Sequence, residues 1–175
     1  LTRFAAGIKA HDSHAVVQLH HAGMRSPVAL TGRAPQCPSD DAETGAKAMT
    51  RDEVTESIDA FIEAARRCDR AGFDGVELHG AHGYLICEFL SPEINRRHDE
   101  YGGSLENRSR FLFEVVDGVR AVCRSDFSLG VRLSPERFGM QLLEVRTVAQ
   151  RLMTEGRIDY LDMSLWDCFK EPEDQ

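Results

Sequence analysis

The stretch GVELHGAHGYL, residues 75–85, combines the pattern of a buried strand with a cluster of reactive side chains at its end. Val76 and Leu78 alternate with other positions as in a strand that packs on a core, and the glycines that follow indicate a turn. Two histidines three residues apart and a tyrosine two residues further on can all exchange protons. Solvated loop histidines are the simpler interpretation, and a functional site is the alternative.

Three further apolar runs have the composition of buried strands, and helical patterns separate them. The segment after Thr50 repeats apolar residues at helical spacing, and Thr50 with Glu53 forms a capping-box pattern. Further helices are predicted over about 105–124 and 144–155. The alternation of helix and strand favours parallel strands joined by right-handed crossovers. The strands are expected near residues 15–20, 75–79, 129–133 and 160–164.

An α/β chain of this kind forms either an open doubly wound sheet or a (β/α)8 barrel. A dinucleotide-binding open sheet usually carries a G-x-G-x-x-G motif, and the sequence has none. The loops after the strands are long and polar, and those before them are short, which is typical of barrels with function at the C-terminal strand ends. A complete barrel has roughly 250 residues, so four strands in 175 residues correspond to about half of one.

The bulk composition is that of a globular protein without a basic binding face. A net charge of −8 disfavours nucleic acids and anionic membranes as partners, and no apolar run has the length of a membrane span. The five cysteines are scattered and contain no C-x-x-C pair, so neither a disulfide framework nor a cysteine metal site is indicated. Reduced thiols and a cytoplasmic location are the default expectation.

Four segments taken together resemble the old yellow enzyme family of FMN-dependent ene-reductases. They follow the family's order over nearly the whole chain: QLHHAG (18–23), GFDGVELHGAHGYL (72–85), FLSPEINRRHDEYGGSLENRSRF (89–111) and VRLSP (131–135). The resemblance implies a partial (β/α)8 TIM barrel that contains about strands three to six. Residues 1–175 are therefore interpreted as a single incomplete FMN-dependent oxidoreductase barrel domain. The family's first two strands would precede Leu1, and its last two strands, with the FMN phosphate site, would follow Gln175.

The resemblance also implies which residues bind the cofactor. Gln18 matches a strand-end glutamine that hydrogen-bonds the pyrimidine edge of the flavin, and Arg132 matches an arginine near flavin N1. A fixed cation at that place stabilises the anionic reduced flavin. Glu77 has the strand parity of His79, and we expect its charge to be paired with Arg132 on the next strand.

The catalytic and substrate-binding residues follow from the same resemblance. His79 and His82 match the pair that binds the activating oxygen of the substrate, where two N–H donors would form an oxyanion hole. Tyr84 matches the tyrosine that donates a proton to the alkene, and His20 matches a residue that shapes the substrate pocket.

The two histidines can converge only if the chain bends between them. Residues three apart in a straight strand face opposite sides, so we expect Gly80 and Gly83 to provide a bend that brings His79 and His82 together. An H-x-x-H pair also occurs in zinc sites, but no spacing in this sequence specifies a third ligand, so no metal is predicted.

In the complete protein the resemblance implies reduction of activated C=C bonds in enones, enoates or related electrophiles, with FMN as cofactor and NAD(P)H as electron donor. One alternative is a non-catalytic truncated fragment that cannot hold FMN. A second is a metal-dependent barrel hydrolase that uses His79 and His82. The sequence leaves open the physiological substrate, the choice between NADH and NADPH, association into homo-oligomers and whether further domains follow.

Overall fold

The computed structural model describes residues 1–172, so the last three residues of the predicted domain, 173–175, lie outside the described part. In chain order the elements are α1 (Thr2–Lys9), β1 (Val16–Leu19), a 3-10 turn (Gly23–Arg25), α2 (Val28–Thr31), β2 (Gln36–Cys37), β3 (Lys47–Ala48), α3 (Arg51–Arg70), β4 (Gly75–Gly80), α4 (Leu85–Leu90), α5 (Leu105–Val122), β5 (Ser128–Leu133), α6 (Leu142–Thr154) and β6 (Tyr160–Met163).

The main sheet has four parallel strands in the order β1-β4-β5-β6. Helices connect successive strands of this sheet, so the predicted strand positions, their adjacency and their parallel direction are confirmed. Helix α3 lies between β1 and β4, α5 between β4 and β5, and α6 between β5 and β6. The carboxyl ends of all four strands consequently meet at one edge of the sheet, where the site must be sought.

One face of the sheet is apolar and forms the core under the helices. Val76 and Leu78 of β4 and Val131 of β5 are fully buried there. Above them, Phe89 stacks on Phe111 with ring centroids 4.5 Å apart, which locks α4 against α5. The alternate residues of the same strands face the other side, which is polar and partly open to solvent.

The ends of the long helices follow from local chemistry. The Thr50 hydroxyl accepts a hydrogen bond from the Glu53 backbone N–H at 3.2 Å, and the Glu53 carboxylate accepts one from the Thr50 N–H at 2.7 Å. This capping box starts α3 as predicted. The helix ends before Gly72, whose φ of 88° continues the chain in a left-handed turn. Ser104 caps α5 by accepting from the Asn107 N–H at 3.3 Å.

Several short elements were not predicted. The segment between β1 and α3, where the sequence predicts a long polar loop, contains the 3-10 turn, α2 and the two-residue parallel strands β2 and β3. Helix α4 follows Tyr84 directly and was also missed. Elements of two to six residues are too short to show a period, and only the surrounding core stabilises them. Among the described residues, no helix is both long and apolar enough to cross a membrane.

We predict that Thr50→Ala lowers the free energy of unfolding by about 1 kcal/mol, because the first turn of α3 loses its cap. Urea titration of the purified chain measures this change. Thr55→Ala is the matched control, since Thr55 lies exposed in the second turn of the same helix and its hydroxyl bonds only to the Arg51 carbonyl. Equal losses in the two variants would contradict the capping role.

Candidate active site

A left-handed turn at the end of β4 brings the two histidines together. His82 and Gly83 have φ values of 61° and 69°, so the bend lies at these two residues. Gly80 does not have a positive φ and therefore does not make the bend that was expected of it. Its role is close approach: a Cβ there would lie 2.9 Å from a Leu133 methyl group and 3.0 Å from the Arg132 carbonyl of β5.

The turn places two imidazole nitrogens side by side. His82 Nδ1 and His79 Nε2 are 3.1 Å apart and share a hydrogen bond. The backbone N–H of His82 donates to the Ser134 hydroxyl at 3.1 Å, which ties the turn to the end of β5. His79 is buried, with 4% of its surface exposed.

Tyr84 and His20 complete a compact group of rings. His20, just beyond β1, stacks on Tyr84 with centroids 4.9 Å apart and 6° between the ring planes. The Tyr84 and His79 centroids are 5.2 Å apart. The structure thus brings together all four residues that were predicted to bind or protonate the substrate. Their roles in catalysis stay predictions.

Both paired histidines are neutral at pH 7. Burial, followed by the nearby charges of His82, His20 and Arg132, lowers the pKa of His79 to about 4. Burial also lowers the pKa of His82, and the cations Arg132 and Arg25 act in the same direction. Neutral imidazoles each carry one N–H donor and one acceptor nitrogen, so their hydrogen-bond partners decide which nitrogen holds the proton.

Ser164, which lies just after β6, sets the proton position on His82. Arg132 Nη2 donates to the Ser164 hydroxyl oxygen at 3.2 Å, and that oxygen lies 2.6 Å from His82 Nε2. A guanidinium can only donate, so the hydroxyl proton is not used in that bond and is available to His82 Nε2, where we predict that it is donated. His82 then carries its own proton on Nδ1 and donates it to His79. Sequence reasoning missed Ser164, since its partner is 82 residues away in the chain.

The expected ion pair between Glu77 and Arg132 is wrong. In the strand register, Glu77 lies opposite Gln18 of β1 and Gly130 of β5. Arg132 lies two residues further along β5, opposite His79. The Glu77 carboxylate instead accepts from Gln18 Nε2 at 2.6 Å. Arg132 lies opposite Asp162 of β6, and its Nε is 3.1 Å from the Asp162 carboxylate.

Two polar atoms of the site remain unsatisfied. His79 Nδ1 and Arg132 Nε are buried and make no hydrogen bond within residues 1–172; the contact between Arg132 Nε and Asp162 is close but not aligned. Gln18, which the resemblance matches to a flavin-binding glutamine, is exposed on the polar face of the sheet. Such unpartnered groups are the kind that a bound molecule satisfies.

A second buried carboxyl group supports the loop that follows β1. Glu88 of α4 is fully buried and accepts from the Met24 backbone N–H at 2.9 Å. A Cβ on Gly23 would overlap the Glu88 carboxyl group, so only glycine fits that position. Burial raises the pKa of Glu88 to about 8. No sequence signal marked Glu88, which stands in an otherwise apolar helix.

A cavity of about 240 Å³ opens beside His82 at the ends of β5 and β6. Phe138 and Trp166 line it with their rings, 6.3 Å apart and nearly perpendicular. The Phe138 ring also meets the His82 imidazole edge to face at 6.3 Å. The described residues contain no group of three or more potential metal ligands beside the histidines or elsewhere.

Comparison with known proteins relates this chain to flavin oxidoreductases. Residues 1–170 match the model of the NADH:flavin oxidoreductase / NADH oxidase family. The chain is 44% identical over 168 residues to an NADPH dehydrogenase of Geobacillus sp., covering 94% of this chain and 48% of that protein. It is 38% identical over 193 residues to an NADH:acrylate oxidoreductase of Vibrio harveyi, covering all of this chain and 19% of that protein.

Solved structures show the same architecture. The old yellow enzyme of Pichia sp. AKU4542 superposes with a TM-score of 0.83 at 28% identity, over 95% of this chain and 50% of that chain. The old yellow enzyme homologue of Zymomonas mobilis superposes with a TM-score of 0.82 at 33% identity, over 91% of this chain and 50% of that chain. The prediction of a partial (β/α)8 barrel is confirmed, and the chain spans about half the length of the NADPH dehydrogenases that it matches.

We predict that the stability of the protein falls as the pH decreases from about 6.5 to 4. The pKa of His79 is lowered to about 4 in the folded state, so in this window the unfolded chain binds the proton and the folded chain does not. Urea titration at pH 7 and pH 5 measures the loss, which His79→Gln should reduce. A His79 imidazole that titrates at 6.5 or above by NMR would contradict the prediction.

We also predict that Ser164→Ala changes the proton position on His82. Long-range ¹H–¹⁵N spectra of the unaltered protein at pH 7.5 should show the Nδ1–H form of His82, because the serine hydroxyl donates to Nε2. In the variant the two neutral forms should mix. Ser134→Ala is the matched control, since Ser134 bonds to the His82 backbone and not to the ring. A predominant Nε2–H form in the unaltered protein would show that the assignment is wrong.

Proposed function

Because the chain belongs to the NADH:flavin oxidoreductase / NADH oxidase family, we propose that it carries the substrate-binding half of an FMN-dependent oxidoreductase that reduces activated C=C bonds. The observation that supports this best is the convergence of His79 Nε2 and His82 Nδ1, 3.1 Å apart, beside Tyr84. The barrel domain boundaries of 1–175 remain part of this proposal.

The polar face of the sheet fits the ring of FMN. One N–H of the Gln18 amide donates to Glu77, so its carbonyl oxygen and second N–H are available to the pyrimidine edge of a flavin. Arg132 offers a partly exposed guanidinium whose Nε has no aligned partner. FMN bound there would supply the hydride for the alkene, and Arg132 would stabilise the negative charge of its reduced ring.

The histidine pair is suited to an oxygen that gains negative charge. An acceptor placed about 2.9 Å from both nitrogens replaces their mutual hydrogen bond and receives two N–H donors. His82 Nδ1 already carries a proton. His79 must move its proton from Nδ1 to Nε2 to become the second donor. In a site that excludes water, each such donor contributes roughly 10²-fold to the rate.

Tyr84 supplies the proton. Its ring is held between His20 and His79, and its hydroxyl makes no hydrogen bond within the described part of the chain. The hydroxyl is therefore free to face the substrate carbon that becomes anionic after hydride addition, and it transfers its proton there. His20 fixes the ring by stacking, which limits the space beside the substrate.

The names of the relatives bear on the co-substrates. They specify NADPH for the Geobacillus protein and NADH with acrylate for the Vibrio protein. For this protein we propose NAD(P)H as the electron donor and a small electrophilic alkene as the substrate.

All five cysteines are free, and Cys37, Cys68 and Cys87 are buried. Free thiols fit a reducing compartment, so we assign the protein to the cytoplasm.

We expect the whole protein to purify with flavin absorption and to reduce 2-cyclohexenone with NAD(P)H. Tyr84→Phe should leave flavin reduction by NAD(P)H intact and slow alkene reduction by about 10²-fold or more, because only the second half-reaction needs the phenol proton. Stopped-flow absorbance separates the two steps.

Tyr101→Phe is the matched control for this experiment. The Tyr101 hydroxyl bonds to Glu114 at 2.8 Å and lies outside the site, so the same loss of a hydroxyl should leave both half-reactions unchanged. A whole protein without flavin would contradict the proposed function. An equal slowing of both steps in Tyr84→Phe would instead contradict only the role of Tyr84.

A further inference from the structure

Arg25 stands at the border of the site, at the end of the 3-10 turn between β1 and α2. Its guanidinium carbon lies 5.7 Å from the centre of the Tyr84 ring and 5.5 Å from that of Phe138. A Cβ on Gly83 would lie 3.3 Å from Arg25 Nη2, so the cation borders the left-handed turn directly. Its charge also contributes to the lowered pKa of His82.

This cation has no counter-ion within residues 1–172. Its contacts there are with the two aromatic rings, and it forms no ion pair. Arg132 is different, because Asp162 lies beside it. The carboxyl group of Glu88 is coupled to Arg25, but it is buried, and its pKa of about 8 keeps it mostly protonated at pH 7. The positive charge of Arg25 is therefore available to a ligand.

The backbone holds Arg25 in place without help from an ion pair. It ends the 3-10 turn Gly23–Arg25. The Gly23 N–H donates to His21 Nδ1 at 3.1 Å, and the Met24 N–H donates to Glu88 at 2.9 Å. Glu88 belongs to α4, which begins directly after Tyr84. The 3-10 turn that carries Arg25 and the proton donor Tyr84 are thus both attached to α4. The distance between them does not depend on a flexible loop.

We propose that Arg25 binds the carboxylate of the substrate, so that the site selects 2-enoates over uncharged enones and esters. This inference rests on the proposed function and names its substrate class. A guanidinium donates charge-assisted hydrogen bonds to a carboxylate oxygen, and these are stronger than bonds between neutral groups. One carboxylate oxygen can then lie at the histidine pair while Arg25 binds the other.

The chemistry of a 2-enoate requires such a cation. A hydride that originates from NAD(P)H forms a C–H bond at the β-carbon, and the π electron pair moves to the α-carbon and the carboxylate. A proton from the Tyr84 hydroxyl then forms the second C–H bond, so the alkene is reduced and NAD(P)H is oxidised. Before that proton arrives, the carboxylate carries extra negative charge beyond its resting charge. An adjacent guanidinium stabilises this state more than the ground state.

The test compares trans-2-butenoate with its uncharged methyl ester in the whole protein. We expect Arg25→Ala to lower the ratio of kcat/KM for the acid to kcat/KM for the ester by roughly 10- to 100-fold, the range of a charge-assisted hydrogen bond. Arg25→Lys should recover part of the ratio. Arg33→Ala is the matched control, because Arg33 is an exposed arginine eight residues further along the same segment. It removes the same charge and should leave the ratio unchanged.

Calorimetry without NAD(P)H provides a readout that needs no turnover. Arg25→Ala should weaken the binding of trans-2-butenoate by at least tenfold, and Arg33→Ala should not. An unchanged acid-to-ester ratio and unchanged acid binding in Arg25→Ala would overturn the inference. If the unaltered protein reduced neither compound but Arg25→Ala still lost acid binding, the proposed function would be wrong and the anion site would stand.

Discussion

The pairing of β4 with a parallel strand on each side is the constraint on which the site depends. Side chains of a strand alternate between faces, so register decides which polar residues become neighbours. The observed register puts Gln18 beside Glu77 and His79 beside Arg132. A slip of one residue would send these groups into the core under the helices. The buried side chains of Val76 and Leu78 prevent it, because the slip would expose them.

Burial, more than charge pairing, determines the protonation of the site. His79 and His82 lie among cations, and Asp162 opposes the shift only weakly at His82. Both imidazole rings are therefore neutral, and they act as hydrogen-bond donors and acceptors and carry no charge. Burial also disfavours the charged form of Glu88, but for a carboxyl group this raises the pKa, because the neutral form is the protonated one. Arg25 and Arg132 consequently hold much of the positive charge that a ligand in this site would meet.

The alternation of helices with parallel strands could be predicted from the sequence because its signals are local, whereas the barrel followed from the family resemblance. Strand composition, helical spacing and the Thr50–Glu53 capping box all act within a few residues, and the structure contains each of them. The histidines and Tyr84 lie together in one short stretch, but the family resemblance, and not periodicity, assigned them to a site. The partner of Glu77 required the register between two strands, and the role of Ser164 required knowing that β6 ends beside the turn. Periodicity within a single strand or helix carries neither kind of information.

The shared hydrogen bond between the two imidazoles changes what a ligand must displace. In most polar sites an incoming oxygen competes with water. Here it competes with the other imidazole, because His79 Nε2 and His82 Nδ1 lie 3.1 Å apart and share a hydrogen bond. The exchange is favourable when the incoming oxygen receives both N–H donors in place of the single bond that is lost. Oxygens that carry negative charge accept such bonds most strongly, so the resting pair favours an oxygen on which charge develops during the reaction over one that stays neutral.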